Sequence, residues 1–241
     1  MHEANDNSVL DISEKGRAKD GTVLSSDRRM LMQFLAFGGC LDTGKIIKEL
    51  EGSGMDLVLY ADINDPYGIG LLSVNEDPGF FVGELRGLLA RPAFKELTPK
   101  PEYTMLGRTY SLGYEPDLER TLVHGPREKV LNPALKWAIW YPLQRNKLFE
   151  TLSEDERRSV LGEHGKVGFK FGQAGLGTDI RLACHGLDKN DNDFVIGVLG
   201  EKLYPLSILI ETMRGTKQTS MYLESLGPFF VGNVIWQTPV K

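Results

Sequence analysis

At 241 residues, with 41% hydrophobic and 25% charged residues, the chain has room for one or two domains and an ordinary globular composition. Its net charge of −5 argues against nucleic acid or an anionic membrane surface as the main partner. The two cysteines, Cys40 and Cys184, form neither a CxxC pair nor a zinc spacing, and no apolar run approaches membrane-spanning length, so a reduced, cytoplasmic setting is expected.

Residues 1–28 are polar and lack the apolar core of an export signal, and they read as a disordered tail. RRMLMQFLAFGG (28–39) then reads as an apolar strand ended by glycines. LDTGKIIKELEGSG predicts a short helix that starts at Asp42 and stops at the GSG. MDLVLYADI and GIGLLSVNE are two strands around the turn NDPYG. DPGFFVGELRGLLARPAF predicts one helix, with Phe81, Leu85, Leu88 and Leu89 at helical spacing, and PEYTMLGRTYSLGY a closing strand. Residues 29–113 thus run β-α-β-β-α-β. A linker marked by Gly125, Pro126 and Pro133 occupies 114–135. The same order returns over 136–241. KWAIWYPL is a strand, LSEDERRSVLGEHGKVGFKF a helix with a capping box from Ser153 to Glu156, TDIRLACHG and NDFVIGVLG two strands, LYPLSILIETMRG a helix and GPFFVGNVIWQ a strand. The expected fold class is α+β: two ferredoxin-like repeats forming a dimeric α+β barrel, each a four-stranded antiparallel sheet with helices on its outer face.

His164 lies in the first helix of the second repeat. Val160, His164, Val167 and Phe171 share one helical face by three- and four-residue spacing, so the imidazole points at the sheet. A hydrogen-bonded core histidine is the commoner occupant of such a position. No second ligand stands at a useful spacing, because His185 falls in a turn and His124 in the linker. That argues against zinc, which takes three or four protein ligands. Haem iron needs only one proximal histidine, so core residue and iron ligand both stand on the residues alone.

The strings WYPLQR, LSEDERRSVLGEHGKVG, HGLDKNDNDFVI and LIETMRGTKQTSMYLESLGPFFVGN, in this order, resemble the C-terminal half of the chlorite dismutase family. The resemblance covers residues 127 to 236, and the N-terminal half agrees in element order only. It implies a doubled ferredoxin-like fold with haem in the second half and His164 as the proximal iron ligand. Tyr141 falls on the tyrosine that coprohaem decarboxylases use as a radical relay, where a strand aromatic packed at a sheet edge is the plainer reading. Arg127, fourteen residues before it, is similar in place to an arginine that grips a porphyrin propionate, a grip that suits a planar guanidinium. Thr219, five residues after Arg214, matches a serine that binds another propionate. Arg145 stands where decarboxylases carry a lysine, and Phe149 where they carry a tryptophan.

Between His164 and GLD this chain is two residues longer than the family pattern, so the distal position falls on either Asp179 or Arg181. The two share a strand face by alternation. Arg181 could hold an anion or a departing oxyanion, and Asp179 could serve as acid and base for peroxide cleavage. The resemblance therefore implies a haem-dependent oxidoreductase with iron as its metal. The first activity expected is peroxide-dependent oxidative decarboxylation of coprohaem to haem b. The alternatives are a chlorite dismutase, a haem b peroxidase-like enzyme, and a haem-binding member without catalysis. The implied partners are the porphyrin, hydrogen peroxide or chlorite, and further copies of the chain in a homo-oligomer such as a pentamer, with no role for nucleic acid or membrane.

Overall fold

The computed structural model of the chain describes residues 10–240. Part of the segment read as a tail is ordered: Glu14–Arg17 (β1) and Val23–Ser26 (β2) pair as an antiparallel hairpin. The reason is long-range and invisible to composition. The Glu14 carboxylate accepts from Arg108 Nη1 at 2.8 Å and from the Ser111 backbone N–H at 2.9 Å.

The first repeat comprises Leu31–Gly38 (β3), Thr43–Glu51 (α1), Asp56–Asp62 (β4), Ile69–Asn75 (β5), a helical stretch, the two-residue Thr98–Pro99 (β6) and Met105–Arg108 (β7). Asp42 caps α1 by accepting from Gly44 N. The single helix expected after β5 is instead three short ones, Gly79–Val82 (α2), Glu84–Leu89 (α3) and Pro92–Lys95 (α4). Gly83 leaves helical geometry between the first two, and Arg91 is extended because Pro92 follows it.

The expected linker is core. After a π-helical turn at Arg120–His124 comes Gly125–Val130 (α5), and the segment buries Leu118, Leu122, Val123, Val130 and Leu131. Glycine and proline made it read as a loop, yet its apolar residues close one end of the barrel.

The second repeat comprises Trp137–Arg145 (β8), Lys147–Glu150 (α6), Glu154–Gln173 (α7), Thr178–Ala183 (β9), Phe194–Gly200 (β10), Leu203–Arg214 (α8), Lys217–Met221 (α9), Leu223–Leu226 (β11) and Phe230–Gln237 (β12). The two sheets do not stay separate. Order β7-β3-β5-β4 in the first repeat continues through β4–β12 pairing into β12-β8-β10-β9, and β9 returns to β7, so the ring closes within one chain. The closing seam is thin, for β7 and β9 pair only at Arg108 and Ala183.

Period-two alternation then makes three cores. Phe34, Tyr60, Trp140 and Phe230 fill the ring, with Phe34 stacked 5.9 Å from Trp140 and tilted against Phe230 at 4.7 Å. Helices α1 to α4 cover the outer face of the first repeat. Ile139, Tyr141, Leu143 and Val198 form the outer face of the second, where Leu206 and Leu209 of α8 pack on them. Among the described residues, no helix is long and apolar enough to cross a membrane.

If the 114–135 segment is core, Leu122→Ala, at a position 0% exposed, should cost about 2–5 kcal/mol in urea unfolding, as buried leucine truncations do. A loss under about 0.5 kcal/mol, the surface value, would mark the segment as a linker after all.

Candidate functional site

The outer face of the second repeat brings the sequence candidates into rows. Register places Ile196 of β10 opposite both Tyr141 of β8 and Arg181 of β9, and Val198 opposite both Ile139 and Asp179. Residues opposite one another share a face, so Tyr141, Ile196 and Arg181 form one row across three strands, with Asp179 in the next. Asp179 and Arg181 are not alternatives in space: both face the same side, and Arg181 Nε lies 3.2 Å from Asp179 Oδ2. Burial works most strongly against the Arg181 charge, but Asp179, together with Tyr110, Tyr114 and Glu115, raises its pKa on balance.

Over this face stands α7. Its capping box is formed, Ser153 with Glu156, and Glu154, Asp155 and Glu156 sit at the positive end of its dipole. These features hold a helix whose four glycines, Gly162, Gly165, Gly168 and Gly172, each cost about 1 kcal/mol relative to alanine. Of its residues only Val160 is fully buried; the helix packs on α8, α9 and β9, and its Val167 and Phe171 lie against the core that includes Tyr141. The layer between α7 and the strands that carry Tyr141 is the candidate cleft; Gly162 and Gly165 lie on the exposed side of the helix, with open space around them.

His164 is half-buried on α7, and its Nδ1 lies 3.0 Å from Thr216 Oγ1. Thr216, 4% exposed at the N-cap of α9, donates its one proton to the Met213 carbonyl at 2.7 Å. Its hydroxyl can then only accept from the histidine, which places the ring proton on Nδ1 and leaves a lone pair on Nε2. Burial first, and the Arg181 charge second, hold the His164 pKa below its ordinary value, so the ring is a neutral donor at pH 7. Thr219 Oγ1 is 3.4 Å from Thr216 Oγ1 and extends this hydrogen-bonded line. Sequence reasoning missed Thr216. A threonine ahead of a helix reads as a cap, and nothing local ties it to a histidine 52 residues away.

Tyr141 is 8% exposed, and its ring stacks on Phe229 at 4.6 Å. Arg214 reaches the same Phe229 at 5.6 Å. The Tyr141 phenol has no hydrogen-bond partner among the described residues, and burial pushes its pKa well up, so it stays protonated. Arg145 sits between the rings of Phe149 and Phe194, 4.3 and 4.6 Å away, and makes no ion pair among the described residues. Its Nε is buried without a partner, and burial lowers its pKa. An arginine with a free donor beside the cleft suits a carboxylate.

Two expected contacts fall elsewhere. Phe149, expected to line the cofactor, is buried in α6 as the platform beneath Arg145 and Arg157, edge-on to Tyr222. Arg127, expected to hold a propionate, grips Asp56 of the first repeat in bidentate fashion, with Nη2 to Oδ1 at 2.8 Å, so its fork is already filled. Among the described residues, no group of three or more His, Cys, Asp or Glu side chains could hold a metal ion.

Fold and site together describe a doubled ferredoxin-like barrel with a histidine-bearing cleft on its second half. The chain belongs to the chlorite dismutase family, whose model matches residues 88–235. Among solved structures it is similar to a heme-binding protein from Thermus thermophilus, at 18% identity and a TM-score of 0.69 over 87% of this chain and 92% of that one. It is also similar to a mutant chlorite dismutase from Candidatus Nitrospira defluvii in complex with cyanide, at 16% identity and a TM-score of 0.67 over the same shares. The chlorite dismutase of that organism in complex with imidazole matches at 16% and 0.64, again over 87% and 92%. At these identities the likeness is one of fold. No curated protein matches the chain by sequence.

The hydrogen-bond line makes a direct prediction. In ¹⁵N spectra at pH 7, His164 should be neutral and protonated on Nδ1, and Thr216→Val should release it into the mixture of tautomers seen for free imidazole. An Nε2–H tautomer in the wild type would contradict the assignment.

Proposed function

We propose that the chain is a haem-dependent oxidoreductase, and that its reaction is peroxide-dependent oxidative decarboxylation of coprohaem to haem b. What supports this is three groups carried by the outer layer of the second repeat: the His164 lone pair on α7, the protonated and unpartnered Tyr141 phenol on β8, and Arg181 in the same row as Tyr141. The donor set fits an iron porphyrin, since one neutral imidazole suffices for the metal and the unpaired Arg145 suits a propionate.

Bound there, the iron porphyrin would supply redox chemistry toward peroxide. His164 Nε2 would hold the iron, with Thr216 keeping the ring in the donating tautomer. Arg145, beside Phe149 and Phe194, and Arg214, beside the Phe229 that stacks on Tyr141, would hold carboxylates, Thr219 adding a hydroxyl donor. The Phe229 stack fixes the Tyr141 ring, whose O–H would pass a hydrogen to and from the reacting side chain. For each propionate converted to a vinyl group, carbon dioxide leaves with two electrons left behind, and one hydrogen peroxide is reduced to two waters. Arg181, oriented by Asp179, would stabilise the oxyanion that departs.

The same Arg181 favours a second reading, turnover of chlorite or peroxide on haem b, because it shares a row with Tyr141 on the cleft face. A haem-binding member without chemistry is the third. Given coprohaem and peroxide, the wild type should yield a product lighter by two carboxyl groups, and Tyr141→Phe should bind coprohaem yet leave it intact. If Tyr141→Phe keeps full chlorite turnover while Arg181→Ala loses about 10²–10³-fold, the second reading replaces the first. Porphyrin unchanged under both oxidants would leave the third.

We further propose that the chain self-assembles into a closed homo-oligomer. Light scattering should report a mass several times the 26.9 kDa of one chain, and a monomer at micromolar concentration would refute this.

A further inference from the structure

Helix α7 turns a second face to solvent, away from the strands. Arg158, Glu163, Lys166, Val167 and Lys170 of α7 and Lys217 of α9 line an open groove of about 620 Å³. Arg158, Gly162, Lys166 and Lys170 follow one another at four-residue spacing, so they share one side of the helix over a rise of about 18 Å. Lys217 joins them because α9 packs on α7, where the Lys217 backbone N–H donates to Glu163 Oε2 at 3.3 Å. Val167 lines the groove and also lies against the core that includes Tyr141, so groove and candidate cleft share one helix as their wall.

The charges of this groove do not balance. Four cations and one carboxylate line it. Asp155, outside the lining, lies 3.6 Å from Arg158, and both side chains are exposed. Lys166, Lys170 and Lys217 make no ion pair among the described residues. Even with Asp155 set against Arg158, three ammonium groups face Glu163 alone. The other acids of α7, Glu154 and Glu156, stand in its first turn. Glu156, the nearer, is about 15 Å along the axis from Lys166, beyond the screening length of about 8 Å in physiological salt. The chain as a whole carries −5, so the groove is a local reversal of sign.

We infer that this groove captures a porphyrin by its carboxylates on the way to the cleft, and that it fits a tetrapyrrole carrying four of them. The inference rests on the proposed function, whose substrate bears four propionates. A tetra-anion approaching a chain of net charge −5 is repelled at long range, and a patch of opposite sign gives it a place to land. Screening over about 8 Å lets the lysines act on a ligand in the groove while acids across the barrel do not reach it. Exposed ammonium groups add little to final affinity, so their effect falls on the association rate.

The test uses iron-free coproporphyrin, which does not call on His164 as a metal ligand. Stopped-flow fluorescence follows its binding to the full-length haem-free chain, beside iron-free protoporphyrin, which has two propionates. The association rate of coproporphyrin should fall about fivefold or more as salt rises from about 0.05 to 0.5 M, although both partners are net negative. Protoporphyrin should show a shallower fall. Lys166→Gln, Lys170→Gln and Lys217→Gln together should slow coproporphyrin about tenfold or more at low salt and make its rate rise with salt. Dissociation should stay within about threefold. Glutamine forms helix about as readily as lysine, so this variant should fold, and arginine at the three positions should keep the wild-type salt dependence. No binding of coproporphyrin, a wild-type rate that rises with salt, or a wild-type rate in the glutamine variant would overturn the inference. Salt-sensitive capture in a chain whose His164→Gly variant keeps its haem spectrum would leave the groove standing and count against the iron ligand instead.

Discussion

Strand β8 serves two interiors at once, and the molecule depends on that division. Trp140, 0% exposed, closes the ring against Phe34, and its neighbour Tyr141 faces the opposite way, into the cleft beneath α7. Alternation along a strand flanked by partners on both edges allows no slip of one residue, since that would exchange an indole and a phenol between a dry barrel and a ligand cleft. The closed ring thus fixes the phenol. β10 on one side carries Ile196 to it, and β9 beyond carries Arg181 into the same row.

Helix α7 answers to a different constraint. A helix that buried its whole inner face would leave no space for a flat ligand, and α7 buries only Val160 fully. Capping and its packing on α8 and α9 hold it in place of a packed face, and the glycines keep it slender over the cleft. His164 is steadied from behind, through Thr216 and Met213, and not from within the cleft.

Much of this was legible in the sequence, for physical reasons that can be named. Element order followed from hydrophobic periodicity, which is local, and alternation alone placed Asp179 and Arg181 on one face. The resemblance at HG and WYP led to His164 and Tyr141, which the structure carries on α7 and β8 of the second repeat. What escaped was decided by contacts far apart in sequence. Arg127 fits the propionate position by spacing, yet its fork is filled by Asp56, 71 residues earlier. The hairpin in the supposed tail hangs on Glu14 reaching Arg108, and the 114–135 segment became core because the barrel end it meets is apolar. Phe149 was expected to touch the ligand, but its place beneath Arg145 depends on α6 folding back at Asn146.

The central claim is that the cleft between α7 and the second sheet takes an iron porphyrin on His164 Nε2. Its most direct test is His164→Gly with imidazole added back. The variant should lose the Soret band of the haem-loaded wild type and regain it, with the ferrous spectrum of a single imidazole ligand, as imidazole fills the space left by the side chain. Unchanged haem affinity and an unchanged ferrous spectrum in His164→Gly without imidazole would contradict the account.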